Sequence, residues 1–174
     1  FRFDLAALID DETFLEIGRR AREINPDVVL IAEPWGGGAY DLARFARFGM
    51  LSWNDVFRNG VKGVSPSARG FLFGSWGWNS PESFGQWVLG SVHEKSGPFP
   101  EAAHCVNYLA AHDGYTLGDF IRIACGDAKE HHPIRDTTKN AMLSSTQLRY
   151  NRLAAFMLLV CQGAVMLHHG QEFG

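Results

Sequence analysis

Hydrophobic and polar positions repeat with two different periods along the chain, and each change of period marks an element. Residues 1–6 read FRFDLA, in which Phe1, Phe3 and Leu5 alternate with Arg2, Asp4 and Ala6. That period of two predicts a strand with Arg2 and Asp4 on one side. From Ile9 the spacing lengthens. Phe14, Ile17, Ala21 and Ile24 recur at three and four residues and predict a helix with a core-facing stripe. Asp10 or Asp11 is its expected N-cap, and Arg19, Arg20 and Arg22 lie toward its C-terminal end, where the helix dipole favours cations. The run PDVVLIAEPW follows as an unbroken apolar segment, as expected of a parallel strand covered on both faces. Together these three make a βαβ unit.

The pattern recurs downstream. MLSWNDVF, HCVNYLAAHD and GAVMLHHGQEF predict three further strands. Before the last of them, AMLSSTQLRYNRLAAFMLLVCQ predicts a long helix, apolar almost all round in its second half and so expected to pack tightly on the sheet. Residues 63–100, rich in Gly, Ser, Pro and Trp, read as a structured excursion with short helical pieces, and GDAKEHHPIRDTTKN as an exposed loop. Five strands with intervening helices predict an α/β fold, either a doubly wound sheet or part of a (β/α)8 barrel. A complete barrel takes about 250 residues, so 174 residues accommodate part of one.

Composition narrows the function classes. An apolar fraction of 46% and a charged fraction of 20% are those of a globular protein with a core. A net charge of −3 leaves no electrostatic footprint for nucleic acid or an anionic membrane, and neither is expected as a partner. Cys105, Cys125 and Cys161 are odd in number and widely spaced, which reads as buried thiols. The GGG at 36–38 lacks the strand–GxGxxG–helix context of a dinucleotide site and reads as a flexible active-site loop. No cofactor and no metal site is expected, the pair His131–His132 included.

Chemistry collects at the predicted C-terminal ends of the strands, where parallel α/β proteins build their sites. Asp4 closes the first strand, Glu33 the second and His112–Asp113 the fourth, with Asp55 near the end of the third. A carboxylate at the end of a buried strand is costly unless paired or used. An arginine beside an aspartate favours its ionised, nucleophilic form. Trp35 offers Glu33 apolar cover, which keeps a general acid protonated. Each residue taken singly has a structural explanation: an ion pair for Arg2–Asp4, a turn cap for His112–Asp113, core packing for each Trp. Three at successive strand ends point to a site.

FRFDLA, LIAEPW and VNYLAAHDGYTL, in this order, resemble the alpha-amylase superfamily of glycoside hydrolases, and AEPW and HDGYTL are most similar to its isoamylase, pullulanase and glycogen-debranching branch. SWNDVFRNGVKG and HHGQEFG resemble segments that follow strands six and eight of that family. The resemblance implies a partial catalytic domain over 1–174, holding about strands four to eight of the TIM barrel, with the N-terminal barrel strands and a C-terminal β-domain missing. It implies retaining hydrolysis of α-glucosidic bonds in an α-glucan polysaccharide such as glycogen, starch or pullulan, most of all α-1,6 debranching. Asp4 is then nucleophile, Glu33 general acid/base and Asp113 transition-state stabiliser. Arg2 orients Asp4 and His112 binds the sugar. A retaining pair implies carboxyl groups about 5 to 5.5 Å apart. Two departures stand out: no third-strand motif precedes Phe1, and Ala111 stands where many amylases have Asn.

Trp35, Trp53, Trp76 and Trp78 are candidate platforms for glucose rings, with Trp76–Gly77–Trp78 the best placed. His168 and His169, read as strand neighbours, face opposite ways, so at most one lines the mouth. Glu172 is expected at the rim. Three alternatives compete: an α-1,4-acting amylase, a metal-dependent barrel enzyme using the same carboxylates, and a glucan-binding fragment without turnover. The isolated chain is expected to turn over little or no glucan.

Overall fold

The computed structural model describes residues 1–77, 79–95, 97–129 and 142–172. At its centre is a five-stranded parallel sheet of β1 (Arg2–Phe3), β2 (Ile31–Ala32), β5 (Leu51–Asn54), β6 (Cys105–Asn107) and β7 (Ala164–Val165). The strands lie side by side in chain order, all parallel. A doubly wound sheet reverses its order at a switch point. This one never does, so it is wound in one direction, as a barrel wall is. A separate antiparallel hairpin, β3 (Trp35–Gly36) with β4 (Ala39–Tyr40), follows β2.

The strands are shorter than their apolar runs, although backbone bonds such as Glu33 N–H to the Phe3 carbonyl continue past their ends. Alternation assigns the side chains of these runs to two faces. On one face Leu30, Ala32 and Met50 pack with Phe14, Phe45 and Phe48. On the other Ile31, Leu51, Trp53, Val106, Tyr108, Ala164 and Met166 form a second apolar layer. Val29 is 53% exposed, so the second strand is not covered on both faces along its whole length as its sequence suggested.

Helix α1 (Asp11–Ile24) starts where the sequence placed it. The Asp10 side chain accepts from the Thr13 amide at 2.8 Å, satisfying one of the free N–H groups of the first turn. Its buried seam is Phe14 and Gly18, narrower than the expected stripe, and Ile24 is left 87% exposed at the last turn. Helix α2 (Asp55–Val61) begins within the predicted third strand, capped by the Asn54 side chain on the Phe57 amide at 3.0 Å. The excursion holds α3 (Pro81–Val88), and α4 (Leu117–Ala124) follows β6.

Helix α5 (Ser145–Val160) opens on a capping box between Ser144 and Gln147. Gln147, Asn151, Ala154 and Leu158 form its buried edge together with Met157. The same helix exposes Leu153, Phe156, Leu159 and Val160. Its apolar second half is therefore covered on one face only, because α4 and the Phe71–Phe73 turn reach it from one side.

Between β5 and β6 the core is polar, and its two asparagines are hydrogen-bonded. Asn54 donates to Ser91 Oγ at 3.0 Å and to Asn107 Oδ1 at 2.9 Å, and Asn107 donates to the Gln162 carbonyl at 2.8 Å. Both asparagines are fully buried, so the network ties the excursion and the approach to β7 to the strand ends. Of the predicted loop, residues 126–129 are described and the pair His131–His132 lies outside the described residues.

Candidate active site

The ladder between β1 and β2 places the two catalytic candidates next to each other. Phe3 pairs with Ala32, and the Glu33 amide donates to the Phe3 carbonyl at 3.0 Å, so Glu33 is one step beyond the ladder beside Asp4. The predicted first strand stops at Phe3. Asp4 sits in the turn that follows, and Leu5 adopts a left-handed conformation (φ 44°, ψ 44°). For a residue with a side chain that geometry costs about 1–2 kcal/mol. It aims the Leu5 N–H at Glu33 Oε2, 2.6 Å away.

One guanidinium joins the two carboxylates. Arg2 Nη1 pairs with Asp4 Oδ1, and Nη2 lies 3.0 Å from Glu33 Oε2. Arg2 itself lies over the Trp53 ring, 4.3 Å from its centroid, so the strand beyond β2 holds it from beneath. The two carboxyls differ in setting: the Glu33 side chain is 2% exposed and that of Asp4 63%. The apolar cover expected for Glu33 from Trp35 is only part of its surroundings, because Arg2 and the Leu5 amide contact its carboxyl directly.

His112 and Asp113 reach the same place from the loop after β6. His112 Nε2 is 4.0 Å from Asp4 Oδ1 and 3.5 Å from Asp113 Oδ2, and its ring lies 6.3 Å from that of Trp53. The fold thus brings together Arg2, Asp4, Glu33, His112 and Asp113, residues more than one hundred positions apart. Trp35 flanks them with its ring edge against Trp53 at 6.2 Å. Trp76 does not join: it packs on Phe71 and Trp87 in the excursion's own aromatic core and faces a separate hollow. Trp78 lies outside the described residues.

The GGG segment forms a tight hairpin turn rather than an open loop. Gly37 (φ 58°) and Gly38 (φ 83°) are the two central residues of the β3–β4 hairpin, a turn that needs positive φ at both. The hairpin leads to Tyr40, whose hydroxyl donates to Asp55 Oδ1 at 2.7 Å. Burial, with Asp55 beside it, raises the Tyr40 pKa, so it stays a donor. His168 and His169 follow β7 in a turn, and both border a hollow with Trp53 and His112, so strand alternation does not separate them.

The sequence reading missed Arg58, Lys62 and Tyr108. They wall a cavity of about 300 Å³ with Trp53 and Asp113. Arg58 Nη1 donates to the Tyr108 hydroxyl at 2.7 Å. Burial pulls the Lys62 pKa down to about 7, with Arg58 repelling its charge further. The available signal for Arg58 and Lys62 was their four-residue spacing along the helix that leaves a site-bearing strand. Among the described residues, no three His, Cys, Asp or Glu side chains converge as a metal-binding group.

A parallel sheet wound in one direction, with acidic residues gathered at its strand ends, defines a barrel-type α/β frame with a candidate site at those ends. No family model matches the chain. It is 30% identical to the pullulanase of Bacillus subtilis strain 168, over 99% of this chain and 24% of that protein. It is also 30% identical to isoamylase 1 of Arabidopsis thaliana, over 84% of this chain and 20% of that protein. Among solved structures, the Bacillus subtilis pullulanase complexed with maltose superimposes with a TM-score of 0.79 at 28% identity, covering 98% of this chain and 24% of that one. The chain belongs to glycoside hydrolase family 13, in its pullulanase, isoamylase and glycogen-debranching branch. It spans a fifth to a quarter of the length of these relatives.

Proposed function

We propose that the chain carries the catalytic centre of an α-glucan hydrolase that cuts α-1,6 branch points with retention of configuration, its five main strands corresponding to strands four to eight of the barrel. The observation that carries this reading is the single Arg2 guanidinium shared by Asp4 and Glu33 at adjacent strand ends. Asp4, exposed and paired, attacks the anomeric carbon. Glu33, buried, protonates the leaving oxygen and then acts as base on the water that releases the glycosyl-enzyme. Asp113 holds ring hydroxyls, His112 bonds the sugar in the cleavage subsite, and Trp35 gives the ring an apolar wall. Maltose in the pullulanase structure of similar fold supports an α-glucan as ligand.

The test exchanges this chain for the matching segment of the Bacillus subtilis pullulanase and measures release of reducing ends. The folded chimera is expected to cut pullulan and to leave linear amylose largely intact. Asp4→Asn and Glu33→Gln are each expected to lower kcat by about 10²–10⁴. Full turnover by the Asp4→Asn chimera would refute the nucleophile assignment. Preference for amylose would replace α-1,6 by α-1,4 specificity.

A further inference from the structure

A cavity of about 300 Å³ beside the acidic group is walled by two cations that the proposed hydrolysis does not use. Lys62 is only 8% exposed, its Nζ 4.7 Å from the centroid of the Phe120 ring. Arg58 bonds only neutral groups, the Tyr108 hydroxyl and, from Nε, Asn59 Oδ1 at 3.0 Å. Among the described residues neither is in an ion pair. The one carboxylate at the cavity, Asp113, is 74% exposed on its rim and turned to His112. Burying an ammonium without a counter-charge is unfavourable, and a guanidinium nearby makes it more so. That cost is offset when the missing negative charge arrives with a ligand. A neutral sugar ring does not supply it, and it needs acceptors as well as donors, whereas Lys and Arg only donate.

We propose that the cavity between Trp53, Arg58, Lys62 and Tyr108 is an anion subsite that takes a phosphate-type oxyanion carried on a glucose unit of the glucan. This rests on the glucan reading of the neighbouring carboxylates. Guanidinium and ammonium together are the side chains that recognise phosphate, the first by its planar fork and the second as a point charge. The cavity shares Trp53 and Asp113 with the acidic group, so a substituted unit reaches both at once. The subsite would thus admit chains bearing an esterified unit next to the bond being cut.

Titration calorimetry of the chain with glucose 6-phosphate, glucose, inorganic phosphate and maltotriose tests this without turnover. Glucose 6-phosphate is expected to bind at least ~10-fold tighter than glucose, a difference of about 1.4 kcal/mol. The preference should vanish in Lys62→Met and persist in Lys62→Arg, with thermal melts showing both variants folded. Equal binding of glucose and glucose 6-phosphate, or an unchanged preference in folded Lys62→Met, overturns the subsite. Inorganic phosphate binding as tightly as the sugar phosphate overturns the glucan-borne source in favour of a free anion. Maltotriose binding without any sugar-phosphate preference sinks this inference alone, whereas failure of maltotriose to bind removes the glucan reading beneath it.

Discussion

Glu33 and Lys62 are both buried, yet the fold provides for them differently. Glu33 has the Arg2 guanidinium and the Leu5 amide, whereas Lys62 has the face of Phe120 and a repelling Arg58. The unfolded chain keeps the lysine proton to about pH 10, while the folded chain releases it near pH 7. Between those values the unfolded state binds more protons, so stability rises with pH across that window. Lys62→Met is expected to flatten this rise and to stabilise the chain by about 1–3 kcal/mol at pH 7, since it removes a buried unpaired charge. Urea melts at pH 7, 8.5 and 10 check it; a parallel rise in both proteins would show that other groups carry the dependence. That Asp4, Glu33 and His112–Asp113 gather at one place was legible from their positions at strand ends. The setting of Lys62 was not, because burial without a partner is a property of the neighbours, not of the residue.

Among the elements, the capped start of α1 was legible and the starts of α2 and α5 were not. Asp10 announces α1, since a side-chain acceptor three residues before a free amide is a local signal, whereas the predicted long helix ran past Ser144, whose capping box opens α5. The third strand ended early because Asn54, read as part of it, caps α2. The excursion packs closely against α2: a Cβ on Gly60 would lie 2.1 Å from Trp87 Cζ2, and Trp87 is fully buried. Gly60→Ala, favourable by up to about 1 kcal/mol as helix propensity, is therefore expected to destabilise by about 1–3 kcal/mol net. Denaturant melts with Trp87 fluorescence measure this, and a stabilised variant would contradict the packing. Trp76 belongs to the same aromatic group, which is why its sequence context, Gly and Asn on either side, misled as to its place.

For the whole molecule, the consequence of winding in one direction is that β1 and β7 are both edges of the sheet. Near one edge Phe1 and Val29 are exposed; near the other Phe156, Leu159, Val165 and Leu167 are. Open edges beside apolar surface favour pairing with another chain. The chain by itself is expected to self-associate with rising concentration and to bind a hydrophobic dye. Light scattering over a dilution series checks this, and a monodisperse monomer at high concentration would contradict it.

Read alone, the sequence determined the alternation of strands and helices, the capped start of α1, and the placement of Asp4, Glu33, His112 and Asp113 at strand ends. Those depend on periodicity and on chemistry within a few residues. Only the tertiary structure decided that a single arginine bridges Asp4 and Glu33, that Trp53 carries it, that Trp76 turns away, and that Arg58 and Lys62 share a cavity. These are contacts between distant segments, set by register and by which face each strand presents. No local pattern encodes them.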